Sequence, residues 1–159
     1  MIQLRNGKEL AGLLKKALEI ERGFENMAHW EGYVQAKSEI FRDTLFTMIS
    51  ESEHHATMVG DMLDRLGLPS EETPALRQRT FDFSGKEELE VMRMLANNEK
   101  LAFDTYTNIR GAILASDTSS WLSLEARDFI ITNLDELIEA EAEHMRLAMS
   151  TVGKVERIR

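Results

Sequence analysis

Apolar residues recur at helical spacing along four stretches of the chain, and the gaps between them carry the turn signals. In the first stretch Leu10, Leu13, Leu14, Ala17, Leu18, Phe24 and Ala28 share one face. Asn6-Gly7-Lys8-Glu9 has the form of a capping box ahead of it, and Gly32 a stop, which predicts a helix over about 7–32. The second stretch, about 35–66, has Phe41, Leu45, Met48, Ile49, Ala56, Val59, Met62, Leu63 and Leu66 on its apolar face. Gly67-Leu68-Pro69 reads as its C-terminal stop. The third, about 85–114, opens on the capping box Ser84-Gly85-Lys86-Glu87 and carries Met92, Leu95, Ala96, Ala102, Phe103, Tyr106, Ile109 and Ile113. The fourth, about 122–155, turns Ile130, Leu134, Leu137, Ile138, Met145, Ala148 and Val152 inward. The chain therefore reads as one all-α domain over 1–159, a four-helix bundle.

The connections give the order of the helices. Those between the first and second helices and between the third and fourth are short, so each pair folds back antiparallel. Residues 68–83 hold both prolines and no helical period. At about 3.3 Å per residue such a segment spans roughly the length of a 30-residue helix. A long crossover between helices two and three is the expectation, with Phe81 and Phe83 pinning it to the bundle.

Polar residues interrupt the apolar stripes at one depth. Glu21, Glu51, Glu99 and Glu141 each stand near the midpoint of a helix, on or beside its apolar face. Buried together, such carboxylates repel and cost several kcal/mol each unless compensated. A divalent ion compensates them directly, and a histidine one turn away supplies a nitrogen on the same side. Two Glu-x-x-His units, Glu51 to His54 and Glu141 to His144, offer that pairing. Helical phase complicates the first unit. At roughly 100° per residue, Ser52 and His55 fall among the inward residues of helix two, Glu51 at the edge, and His54 turned away. The candidate metal ligands are Glu21, Glu51, His54 or His55, Glu99, Glu141 and His144, with Ser52/His55 and Glu51/His54 as alternatives for the inward pair. Glu25, Glu53, Glu139 and Glu143 read as solvated faces, and Tyr106 as a core residue within reach of a ligand. Trp30 and Trp121, near helix ends, are candidates for a subunit contact.

Composition narrows the chemistry. The absence of cysteine excludes disulfides, thiol catalysis, cysteine-ligated zinc and iron–sulfur clusters from these 159 residues. A net charge of −9 argues against nucleic acid as a partner. No run has the apolar length of a membrane span, and Met1-Ile2-Gln3-Leu4-Arg5 lacks the apolar core of a signal peptide. A cytoplasmic protein with no membrane partner is the expectation.

With Glu21, Glu51-x-x-His54, Glu99 and Glu141-x-x-His144 on four successive helices, the chain resembles the ferritin-like superfamily, and more closely its rubrerythrin-like branch of di-iron carboxylate proteins. The likeness extends over nearly the whole chain as architecture. It implies iron as the cofactor, two ions where the site is complete, with manganese or zinc as other occupants. It implies ferroxidase or peroxidase-type chemistry with dioxygen or peroxide, and a homodimer. Serine at position 52 departs from the pattern, standing by phase where the family has a bridging glutamate. With no cysteine there is no built-in rubredoxin domain, so any redox cycle needs an external electron donor. A non-catalytic bundle with a degenerate metal site, acting in dimerisation or partner binding, is the competing expectation.

Overall fold

The computed structural model describes residues 2–28, 38–68 and 87–158. Four helices carry them: α1 (Gly7–Ala28), α2 (Glu39–Arg65), α3 (Glu88–Ala115) and α4 (Leu124–Ile158). There is no strand among the described residues, and no helix is long and apolar enough to cross a membrane.

The helix ends are set by local chemistry. Asn6 Oδ1 accepts from the Glu9 amide at 3.0 Å, as the capping box requires, but the Glu9 carboxylate reaches the Arg5 amide, at 2.7 Å, rather than that of Asn6. Ser38 caps α2 by accepting from the Phe41 amide at 3.1 Å, and Ser123 caps α4 by accepting from the Ala126 amide at 3.1 Å. The stop after α2 is the expected one. Gly67 adopts φ +65°, the left-handed region where a side chain is strained, and its amide closes onto Asp64 O.

The start of α3 differs from expectation. Glu87 is extended (φ −79°, ψ 159°) and stands before the first helical residue, so it cannot be the third helical residue of a capping box opened by Ser84. Ser84–Lys86 themselves lie outside the described residues, as do the end expected for α1 at Gly32, positions 35–37, Trp30, and Phe81 and Phe83. Side chains beyond Gly23 in α1, including Glu25, and beyond Gly153 in α4 also lie outside them.

Contacts between helix ends fix the topology. The N-terminal halves of α2 and α3 share one apolar cluster with the C-terminal half of α4: Phe41, Leu45 and Met48 meet Val91, Met92 and Leu95, with Ala148 and Val152. The C-terminal halves of α2 and α3 share a second with the start of α4 and with α1: Val59 and Met62, Tyr106 and Ile109, Ile130 and Leu134, Leu10 and Leu14. At one end the Ser38 amide donates to Glu88 Oε1 at 2.8 Å, joining the starts of α2 and α3. At the other the Leu4 amide donates to Ser116 Oγ at 2.7 Å, joining the approach to α1 with the close of α3. Helices α2 and α3 therefore run parallel. The crossover expected between them falls on residues 69–86, outside the described residues.

Between the two apolar clusters lies a layer of buried polar residues: Glu21, Ser52, His55, Glu99, Glu141 and His144. Apolar packing on both sides holds the helices at fixed register, and the polar layer inherits that register.

Candidate metal centre

Each helix contributes to the layer from near its middle. On α2, Ser52 and His55 are in phase with Met48, Val59 and Met62, and all five are buried. On α3, Glu99 follows the stripe of Met92 and Leu95 toward Tyr106. On α4, Glu141 continues Ile130, Leu134 and Leu137, and His144 follows one turn on.

Glu141, 0% exposed, is the residue the others meet around. His55 Nδ1 donates to its Oε1 at 2.8 Å and lies 3.4 Å from Glu21 Oε1. His144 Nδ1 lies 3.5 Å from Glu141 Oε2 and 3.4 Å from Glu99 Oε2. The two imidazoles stack with centroids 5.3 Å apart and planes at 21°. Two trios result, Glu21–His55–Glu141 and Glu99–His144–Glu141, each with its ligand atoms within 4.8 Å of one another. They share Glu141. A third grouping, Glu51–His55–His144, lies on the outer side, because His144 Nε2 meets Glu51 Oε2 at 2.9 Å.

Glu21 is held on both oxygens. Ser52 donates to Oε2 at 2.5 Å and Tyr106 donates to Oε1 at 2.7 Å. Glu141 Oε2, in contrast, has no hydrogen bond, although it is buried. An ionised oxygen left so in a dry interior is costly. It is the oxygen that lies 3.5 Å from His144 Nδ1.

The electrostatics follow from burial and crowding. Burial pushes the carboxyls of Glu21 and Glu99 above the usual range, Glu99 strongly so, and the charge of Glu141 adds to both. Burial also opposes the charge on Glu141, but Glu99, the two imidazoles and Glu21 outweigh it and hold this carboxyl well below the usual range. For the histidines burial opposes protonation, and the neighbouring carboxylates overcome it. His55 is raised to about 9 by Glu141 and Glu21, and His144 to about 11 by Glu141 and Glu99. Burial drives the Tyr106 hydroxyl further up, with Glu21 beside it, so it stays a donor.

The donor set fits a divalent cation. Three buried carboxylates and two imidazoles converge, one oxygen stands without a hydrogen bond, and the ligand atoms of each trio lie within 4.8 Å of one another. The mix of carboxylate and imidazole suits iron, manganese or zinc.

The structure brings together Glu21, His55, Glu99, Glu141 and His144, with Glu51 leaning in from the edge. It does not bring in His54, which is exposed on the outer face of α2 and belongs to none of the three groupings. Helical phase is the reason: one residue turns the chain by about 100°, which separates His54 from His55. Glu53, Glu139 and Glu143 are exposed, as their phase implies. Trp121 packs against the larger apolar cluster instead of standing free. Sequence reasoning did not find the contact of Glu51 with His144, because nothing local to either residue pairs α2 with α4. Comparison with protein families, with curated proteins and with solved structures returned no match.

Proposed function

We propose that the chain is a metal-binding helical bundle whose core would hold two cations through the two trios that share Glu141, and that its chemistry is the iron- or manganese-dependent reaction with dioxygen or peroxide of rubrerythrin-like proteins. The observation that carries the reading is the pair of buried Glu–His–Glu trios sharing one carboxylate. In a structural polar core, ion pairs come in balanced, hydrogen-bonded sets. Here a buried carboxylate oxygen remains without a hydrogen bond, and burial pushes two further carboxyls toward neutrality.

A bound redox metal would supply electrons to an oxygen substrate and Lewis acidity toward it. The chain's own residues hold and orient. Ser52 and Tyr106 fix the plane of Glu21. Glu141 would serve both positions, and the apolar clusters above and below exclude water from the layer along the bundle axis. These 159 residues hold no cysteine and so no thiolate-held donor centre, and turnover would draw electrons from outside them.

Elemental analysis after expression in metal-replete medium tests the binding. About two iron or manganese ions per chain is the expected content. Anaerobic loading with Fe(II), followed by mixing with peroxide or dioxygen, tests the chemistry: consumption of Fe(II) above the protein-free rate is the expected outcome.

A second reading rests on the Ser52–Glu21 bond. A hydroxyl now serves a carboxylate that a metal would otherwise neutralise, as in a bundle that keeps the polar layer for packing and uses its surface for a partner. A protein that purifies without metal and gains no thermal stability from added Fe(II), Mn(II) or Zn(II) would favour this reading and sink the first.

A further inference from the structure

The two ring nitrogens of His144 face different neighbours. Nδ1 looks into the core, toward Glu99 Oε2 and Glu141 Oε2. Nε2 looks out of it, 2.9 Å from Glu51 Oε2. The nitrogens of an imidazole diverge across the ring. A cation taken by Nδ1 therefore lies on the far side of the ring from Glu51. A neutral imidazole lends a lone pair from one nitrogen while the other carries the proton, and the partner of that proton decides which is which. Glu51 is suited to be that partner. Its side chain is 49% exposed, against 3% for Glu99, so it can accept from the ring without being taken fully out of water.

We infer that Glu51 is a positioning residue for His144 and not a ligand of the inner cation positions. It accepts the Nε2 proton, fixes the tautomer, and thereby aims the Nδ1 lone pair at the space between Glu99 and Glu141. The inference rests on the metal-binding reading above. It also accounts for the register of α2. The inward positions go to Ser52 and His55, and the carboxylate beside Ser52 acts from outside, on the imidazole of a different helix. Because His144 stacks on His55, the hold on one ring restrains the tilt of the other.

Titration with Co(II) against a competing chelator, for the wild type, Glu51→Gln and Glu51→Ala, tests the inference. It is joined by 15N NMR of His144 in the Zn(II)-loaded proteins. All three proteins should bind the same number of ions at saturation. Glu51→Ala should bind them about 10–100-fold more weakly, the usual effect of removing a carboxylate behind a ligating histidine. Glu51→Gln should stay close to wild type, because its amide oxygen accepts the same proton. The NMR spectrum of the wild type and of Glu51→Gln should show a protonated Nε2 and a zinc-bound Nδ1. Loss of an ion at saturation in either variant would make Glu51 a ligand and overturn the inference. So would wild-type affinity in Glu51→Ala, or a zinc-bound Nε2. A wild type that takes up neither Co(II) nor Zn(II) overturns the metal reading itself and this inference with it. That result appears in the unmutated protein, so the two failures are told apart.

Discussion

Ser52 and Glu21 join α2 to α1 by a hydroxyl–carboxylate bond of 2.5 Å, in a layer where both residues are 2% exposed. The same hydroxyl lies 3.1 Å from the Glu21 carbonyl, so a single small side chain serves the backbone and the acid of the facing helix. Ser52→Ala leaves Glu21 Oε2 without its donor. The expected cost is about 1–3 kcal/mol, the usual penalty for a buried acceptor that loses its partner. Urea unfolding of chelator-treated protein measures it. The number of ions bound at saturation should not change, since no proposed ligand is removed.

Glu141→Ala should abolish or strongly reduce metal content, because both trios lose their common member. It also leaves His55 and His144 without their shared carboxylate, a change worth about 3–5 kcal/mol in a buried pair. Glu143→Ala, two residues on and exposed, should alter neither quantity appreciably. Metal content and melting temperature of the two variants, measured side by side, decide the matter. Equal losses would refute the assignment on α4.

On α2 the corresponding pair is His55→Ala and His54→Ala. The first should lower the stoichiometry of bound metal, and the second should leave it at the wild-type value, because only His55 reaches Glu141 and Glu21. Retention of full stoichiometry in His55→Ala would remove the Glu21 trio from the proposal.

Chelator-treated and metal-loaded protein should respond to pH with opposite sign. The imidazoles of His55 and His144 are raised in the folded chain, from the usual 6.5 to about 9 and about 11. The native state therefore binds more protons than the unfolded chain above pH 6.5, and stability falls as pH rises. The contribution of His55 is complete below about 6.5 and lost by about 9, and that of His144 is lost only toward 11. Glu21 and Glu99, also raised, act in the same direction from the acid side. Metal binding instead needs the ligands free of protons, so affinity should increase over the same interval. Melting curves at pH 6 and pH 9, with and without Zn(II), should show a fall in one series and a larger metal-induced gain in the other. A metal-free melting temperature that rises with pH would contradict this account.

The architecture was legible in the sequence because each helix carries a clean apolar stripe and a local cap or stop, such as Asn6 and Gly67. The start of α3 was misplaced, and those of α2 and α4, expected at about 35 and 122, fall at Glu39 and Leu124. Ser84-Gly85-Lys86-Glu87 has the right residue types for a capping box, yet Glu87 is extended, and the first-turn acid Glu88 accepts from the Ser38 amide across the bundle. A tertiary bond of that kind has no local signature. The same limit applied within the polar layer. Phase alone separated His55 from His54 and put Ser52 inward, because both facts concern one helix. The meeting of Glu51 with His144, and of Tyr106 with Glu21, depends on how α2 stands against α4 and α3 against α1.

Glu141 stands 17 residues from the first residue of α4 and 17 from the last (141 − 124 and 158 − 141). At 1.5 Å per residue that puts about 25 Å of helix on either side of it. Both axial routes are filled, one by side chains such as Met48 and Leu95, the other by Leu134 and Ile109. The short way between the polar layer and water is sideways, along the seam where Glu51 stands half in solvent. An ion at the proposed centre would enter and leave by the bundle's flank, and its exchange rate should respond to substitutions along the α2–α4 seam far more than to changes at either end.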